Sequence, residues 1–575
     1  MDNNPSHHLS SNPETIRPVG YVVGGGLKAN LSVRLTVPAQ QVKEGSFVVI
    51  ESGNWQFYGL VTDLQLGSTD PRFADEQSET RLPAQLAELL HGQTLFTNLE
   101  VMPALMMERG PELNSPEYEA WAAASSDDRR PKPIKTIPAH HSIVRPASAG
   151  DVGEIFGSPE DKGRFVIGYT PEQNHPICID LEKFVQRSSG IFGATGTGKS
   201  FLTRIILAGL IHYNKSSVLV FDMHNEYGFD DTASDTGLSV PGLKSRFSAQ
   251  VRVVSLGRAS RIRGNTPDFH LELAESDIQP EDIEMLTREL NLKETTPTVL
   301  DALVRDFGAE CWFHEFKTLE YEAYITDDSG KKLAAPGSVA YWANQAGVNE
   351  MAAKGLHSKL NRVFNRPYVV AQPAADSLQE VIHSLEGGKH VVLSFGEYES
   401  DLDYLLVSNI LTRRIRKEWE RKVNEFRNNK KVEPRPLVIA LEEAHKLLNR
   451  EMASQTTFST IAREMRKYYV TLLVIDQRPS QIYDEVMSQL GTRISGWLGD
   501  DSDIQAVLSG LAARDALRGM LARLQPKEEV LLLGWGVPMP ILVRSRRYDD
   551  RFWEELLGKP TKPRSSDAIL KELGY

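Results

Sequence analysis

Gly193-Ala194-Thr195-Gly196-Thr197-Gly198-Lys199-Ser200 constrains this 575-residue chain more than any other feature. The segment follows an apolar Gly190-Ile191-Phe192 and precedes the helical run FLTRIILAGLI, which is the strand, loop and helix context a phosphate-binding loop requires. Its glycines let backbone N–H groups turn inward around phosphates, and the helix N-terminus adds positive potential. Lys199 supplies a fixed cation, and the Ser200 hydroxyl suits Mg²⁺. Gly193, Ala194, Thr195, Gly196, Thr197, Gly198, Lys199, Ser200 and Phe201 are therefore the expected nucleotide contacts, with ATP and Mg²⁺ as cofactors.

Around this loop, apolar runs alternate with helical stretches: FVIGYT, SVLVFDMHNEY, HVVLSFG, PLVIALEEAH and VTLLVIDQRPSQ. Continuous apolar strands separated by helices predict an α/β core with a parallel sheet buried on both faces. In PLVIALEEAH a strand ends in two carboxylates; Glu442 is expected to hold the Mg²⁺ water shell and Glu443 to act as general base. Gln477, ending the next apolar run, is the expected γ-phosphate sensor. Asp222 and Glu226 end another strand at the edge where nucleotides bind in such sheets. Arg463 and Arg466, three residues apart on a predicted helical face, are candidates for an arginine finger reaching a neighbouring subunit, and Arg187 is a weaker one. Asn214-Lys215 is followed by two serines and no Asp, so guanine specificity drops out.

From Val19 to Met106 the pattern changes to short alternating runs broken by Gly and Asn, which predicts a small antiparallel barrel. The expected organisation is a tail at 1–17, an N-terminal β-barrel with linker at 18–150, and an ATPase core at 151–263 and 387–547. A helical insertion is expected at 264–386 and a C-terminal tail or brace at 548–575. Residues 114–138 read as an exposed linker.

The net charge of −12 argues against a protein coated with nucleic acid over its whole surface but leaves room for a local basic channel. No apolar run reaches the roughly 18 residues of a membrane span, and the polar N-terminus has no leader pattern, so a cytoplasmic protein without membrane attachment is expected. Cys178 and Cys311 match no metal-ligand spacing and are expected to be buried. His7-His8 and His140-His141 have no partners at metal spacing either.

The order barrel, GATGTGKS, FDMHNEY, LEEAH and AREMRKYYVTLLVIDQRPSQ resembles the HerA-type ATPases of the FtsK/HerA branch of RecA-like motors, over about Pro18 to Arg547. The resemblance implies a RecA-like core, a homo-hexameric ring around double-stranded DNA, and barrels that contact a partner nuclease. It further implies an ATP-driven translocase or helicase, in relatives of this size paired with a nuclease or NAD-hydrolysing effector in anti-phage defence. Carried over by position, Lys199 and Ser200 form the phosphate-loop pair, Glu443 the base, Gln477 the sensor, and Arg466 or Arg463 the finger. The family often has Gly between these arginines, where Met465 stands here. Lys446, Arg450, Arg413, Arg414, Arg416 and Lys417 are candidate DNA-phosphate contacts. Two other readings compete with the motor: a nucleotide-dependent ring scaffold that activates a partner effector, and a conjugation or VirB4-like pump.

Overall fold

The computed structural model describes residues 17–27, 29–69, 95–110, 116, 118, 130–232, 237–258, 261–326, 330, 332–429, 432–452, 457–511 and 514–558. The expected tail before Arg17, most of the 114–138 linker and the end of the expected C-terminal brace lie outside these residues. The chain divides into two compact units, one of Met1–Ile179 with Leu511–Ser545, the other of Asp180–Gly510 with Arg546–Tyr575.

In the first unit, strands Gly20–Gly26, Ala29–Leu35, Phe47–Ser52, Trp55–Ser68, Leu95–Glu108 and Ile143–Pro146 pair antiparallel. Ala29–Leu35 pairs with Gly20–Gly26 on one side and Leu95–Glu108 on the other, so the path of pairings returns to its start. Alternation sorts the side chains: Leu31, Val33 and Leu35 turn inward to meet Val22, Ile50, Phe57, Val61, Leu99 and Val101. The helix Ala149–Phe156 follows, opened by a reciprocal cap between Ser148 and Asp151.

The second unit is built on a parallel sheet. Its strands, numbered along the chain, are β1 (Ser189–Phe192), β2 (Ser217–Asp222), β3 (Val251–Leu256), β4 (Phe269–Leu271), β5 (His390–Ser394), β6 (Leu437–Glu442), β7 (Val470–Asp476) and β8 (Thr492–Ser495). Their order is β4-β3-β5-β2-β6-β7-β1-β8. Every residue of β2, β6 and β7 is buried, as strands covered on both faces must be. Helix α1 (Lys199–Tyr213) buries an uninterrupted run from Leu202 to Ile211.

Between β3 and β5 lie the helices Thr296–Phe307, Trp312–Thr318, Val339–Ala346 and Glu350–Phe364, which share an aromatic core of Trp312, Phe313, Phe316, Trp342 and Phe364. Trp312 and Phe313 take the inward positions there, which leaves Cys311 exposed against expectation; Cys178 is buried. The long helix α2 (Asp401–Asn429) anchors this region. Arg413 pairs with the fully buried Asp282 at 2.7 Å, and Asn409 donates to the same carboxylate at 2.8 Å. Arg413→Ala should therefore leave a buried carboxylate without its cation and cost about 3 kcal/mol, low in the range for buried pairs because the arginine is partly exposed. Denaturant unfolding of that variant, and of Arg413→Ala with Asp282→Asn, measures this; the double variant should recover part of the loss.

Candidate functional site

Strand register gathers the predicted residues at one edge. In the parallel ladders Phe192 is level with Asp476, Ile475 with Glu442, and Leu441 with Phe221. The chain therefore leaves β1, β2, β6 and β7 at the same C-terminal edge of the sheet, where ligands of parallel α/β sheets bind.

After β1 the chain turns through Gly193, Gly196 and Gly198, all at positive φ. A Cβ on Gly193 would stand 2.7 Å from the Thr197 hydroxyl oxygen, so only glycine lets the loop close this tightly. Thr197 fastens the loop from inside by donating to the Ala194 carbonyl at 2.7 Å, and the Ala194 N–H donates to the Trp497 carbonyl at 3.0 Å. Gly198 caps α1 in the left-handed conformation, so Lys199 and Ser200 open the helix.

Glu443 follows β6 at a φ of 48°, a conformation that costs a residue with a Cβ roughly 1 kcal/mol or more and persists where the surroundings enforce it. This turn aims its carboxylate at Lys199, whose Nζ lies 4.0 Å from Oε1. The Gln477 amide nitrogen donates to both Glu443 oxygens, at 3.2 and 3.3 Å, and its Oε1 accepts from the Thr195 hydroxyl at 2.5 Å. Lys199, Glu443 and Gln477 are thus one contact cluster, with Thr195 as a fourth member that pattern reading placed in the loop without a side-chain role.

A second group of carboxyls lies deeper. Asp222 is fully buried and caps the turn after β2 by accepting from the N–H groups of Glu226 and Tyr227, at 2.8 and 2.9 Å. Burial pushes its carboxyl up to about 6 despite those bonds. Burial, then the neighbouring Asp222 and Glu226, hold Glu442 well above the ordinary carboxylate range. Tyr227 O–H donates to Glu442 Oε1 at 3.4 Å, while Glu442 Oε2 and Glu226 Oε2 are buried with no hydrogen-bond partner. Acceptor oxygens left over in a buried carboxyl cluster fit a hydrated Mg²⁺ brought in by nucleotide phosphates. No group of three or more metal-ligating side chains is preassembled among the described residues.

Asp476 and His445 form a brace that motif reading passed over, although both sit inside the quoted strings. Asp476 Oδ2 accepts from the His445 N–H at 2.7 Å and from its Nδ1 at 2.9 Å, while Oδ1 accepts from the Arg478 N–H at 2.7 Å. Burial would lower the His445 pKa, but the Asp476 carboxylate outweighs it and the net shift is upward. Burial would likewise raise Asp476, yet its bonds to His445 bring it below the usual range.

Arg204, one turn after Ser200, is the other residue missed. Its guanidinium is 4% exposed, donates to the Glu226 carbonyl, and lies 5.7 to 5.9 Å from the rings of Phe201, Tyr227 and Tyr548. Phe201, expected to touch nucleotide, is 36% exposed and packs toward Tyr548 at 6.3 Å.

The arginines are not brought into this cluster. The helix carrying Arg463 ends at Glu464, and Arg466 sits on the 3₁₀ turn Met465–Tyr468, so the single helical face expected for both is broken. Arg463 faces Glu485 at 3.3 Å, and Arg466 is exposed. Arg187 precedes β1, at the opposite edge from the phosphate loop, with its stem over Gly491. Of the candidate DNA contacts, Arg413 and Arg414 are bound to Asp282, Asp277 and Asp376, Arg416 to Glu420, and Lys446 to Asp401. Lys417 and Arg450 are exposed.

Residues 165–415 match the family described as helicase HerA, central domain. Over 561 residues the chain is 23% identical to the DNA double-strand break repair helicase HerA of Saccharolobus solfataricus, covering 96% of this chain and 97% of that one. The protein of the same name from Sulfolobus acidocaldarius is 22% identical over 541 residues, 93% of this chain and 94% of that one. The chain is an ATP-hydrolysing enzyme similar to HerA helicases. Solved structures similar to this chain include VirB4 of Thermoanaerobacter pseudethanolicus, with a TM-score of 0.40, 14% identity, and 68% and 98% of the two chains covered. Another is the plasmid coupling protein TrwB in complex with the ATP analogue ADPNP, with a TM-score of 0.44, 13% identity, and 70% and 93% covered. Among the described residues no helix is long and apolar enough to cross a membrane.

The His445–Asp476 brace makes a pH-dependent contribution to stability. A histidine whose folded pKa is raised contributes fully below its unfolded value near 6.5 and loses that contribution as pH rises through the folded value. Asp476 contributes above about 3.8 and loses its share as pH falls through its lowered folded value. The gap in thermal stability between the wild type and His445→Gln should be widest between about pH 4 and 6.5 and narrow at higher pH. A gap that stays constant from pH 5 to 9 would remove the brace from the stability of the site.

Proposed function

We propose that this ATP-hydrolysing enzyme is a HerA-type motor, a homo-hexameric ring that uses ATP to move along double-stranded DNA, working with a partner nuclease or NAD-hydrolysing effector in anti-phage defence. The observation that carries the reading is the meeting of Lys199, Glu443 and Gln477 at the phosphate-loop edge of the sheet. The DNA part rests on the resemblance and on relatives named as DNA double-strand break repair helicases.

In this reading the loop from Gly193 to Ser200 binds the phosphates of ATP, and Lys199 neutralises charge on the transferred group. Ser200 and Glu442 would hold Mg²⁺, with Asp222 and Glu226 beside them in the same carboxyl cluster. The metal supplies charge neutralisation at the β- and γ-phosphates. Glu443 takes the proton of the attacking water, and Gln477 orients that water against the γ-phosphate. Arg466 is the finger offered to the next subunit, since Arg463 already faces Glu485. The closed ladder of the first unit is the small barrel that contacts the partner protein, and the helices between β3 and β5 form a subdomain inserted in the motor core.

Lys199→Ala and Glu443→Gln should each lower ATP hydrolysis by about 10²-fold or more, with nucleotide binding kept in the second variant. Linear duplex DNA should stimulate the wild type, binding should weaken steeply with salt, and mass measurement should give a hexamer. A Glu443→Gln variant that still activates the partner effector in full would instead favour a scaffold in which turnover is incidental. A wild-type hexamer whose hydrolysis ignores DNA would end the translocase reading.

A further inference from the structure

Thr195 stands at the tip of the phosphate loop with an exposed side chain, yet its hydroxyl is committed to a residue 282 positions away, the Oε1 of Gln477 at 2.5 Å. The opposite end of that amide meets the Glu443 carboxylate. A primary amide has one acceptor end and one donor end, so the partner at one end decides what the other presents. The Glu443 carboxylate, an acceptor only, takes the NH₂ end, and the Thr195 hydroxyl donates to Oε1 and holds the other end in place. Reversed, the amide would set its carbonyl oxygen against a carboxylate, an arrangement with no proton between two acceptors and a repulsive electrostatic term.

The backbone beneath this chain of bonds is rigid. Asp476, fully buried, accepts from the N–H of Arg478 on one side of Gln477 and from the N–H of His445 beyond Glu443 on the other. One carboxylate therefore fixes the two turns that carry Gln477 and Glu443, and the freedom that remains lies in the side-chain torsions of Gln477. Thr195 acts on that freedom. The other loop threonine does not share the task, because Thr197 is buried and bound to the Ala194 carbonyl within the loop.

We propose that Thr195 is a positioning residue of this enzyme: its hydroxyl anchors the carbonyl end of the Gln477 amide, and through it steadies the hydrogen bonding of Glu443. The proposal rests on the reading of Glu443 as general base. It assigns the third loop residue a side-chain role separate from the backbone's grip on phosphate, and it accounts for a hydroxyl at a place where the loop backbone alone would serve binding.

The test is steady-state ATP hydrolysis by the purified full chain carrying Thr195→Val, Thr195→Ser, Gln477→Ala, Thr195→Val with Gln477→Ala, or Glu443→Gln. Thr195→Val should lower kcat about five- to tenfold, the scale of one lost hydrogen bond, with KM for ATP within about twofold of the wild type. Thr195→Ser, which restores the hydroxyl, should recover the wild-type rate. In the Gln477→Ala background Thr195→Val should cost nothing further, because a residue acting through Gln477 loses its effect with it. A rise in KM with kcat unchanged would make Thr195 a phosphate contact and overturn the proposal, as would additive losses in the double variant or a Thr195→Val enzyme with wild-type kcat. Those results alongside an inactive Glu443→Gln would leave the general base in place; a fully active Glu443→Gln would remove the base assignment itself.

Discussion

Burial of carboxyl groups beside one another is the constraint on which this site depends. Asp222 and Glu442 end neighbouring strands, Glu226 follows one turn later, and water is excluded from the first two. Like charges in such surroundings cannot all ionise without a compensating cation. The upward displacement of the Asp222 and Glu442 carboxyls expresses this, and Lys199 is the cation that opposes it for Glu442. A pocket of this kind holds little charge by itself and favours ionised carboxyls once a divalent ion and its phosphates arrive.

The same edge holds carboxylates of the opposite character. Asp476 is equally buried but lies below the usual range because three donated hydrogens, two of them from His445, satisfy it. Two buried aspartates at the ends of nearby strands thus do different work: Asp476 is a fixed strut, and Asp222 is a turn cap whose carboxyl is held upward by burial. The difference lies in their partners, since backbone amides alone do not offset the burial of Asp222 while an imidazole in addition offsets that of Asp476.

Much of this was legible in the chain. The phosphate loop, the paired glutamates and Gln477 each end or follow an apolar run, and equal strand ends in a parallel sheet bring such residues together. What escaped was whatever depends on side-chain pairing across loops. Arg204 reads as a stray cation in an apolar helix until Glu226 and three aromatic rings are seen around it. Asp476 sits in a string quoted for its neighbour Gln477. Cys311 was expected inside on residue type, but the two aromatic residues after it compete for the same core and win on size. Arg463 and Arg466 were expected on one face because the helical period was extended through Met465, where the chain tightens into a 3₁₀ turn and Met465 itself is buried.

Charge along α2 shows why a run of basic residues is a weak guide to a nucleic-acid surface. Arg413 and Arg414 look available in sequence, yet their partners Asp277, Asp282 and Asp376 come from segments more than 30 residues away. The helix uses its cations to fasten the region between β3 and β5, and a guanidinium bound to a fully buried carboxylate cannot turn to a phosphate without leaving that carboxylate alone. For a chain with a net charge of −12, a path for a polyanion has to be made from cations outside these internal pairs. Arg450 and Arg478 are both exposed: Arg478 is next to Gln477, and Arg450 follows the short helix His445–Leu448 that begins just after Glu443. Chain connectivity therefore places exposed positive charge within several residues of Glu443 and Gln477, whose turns Asp476 ties together.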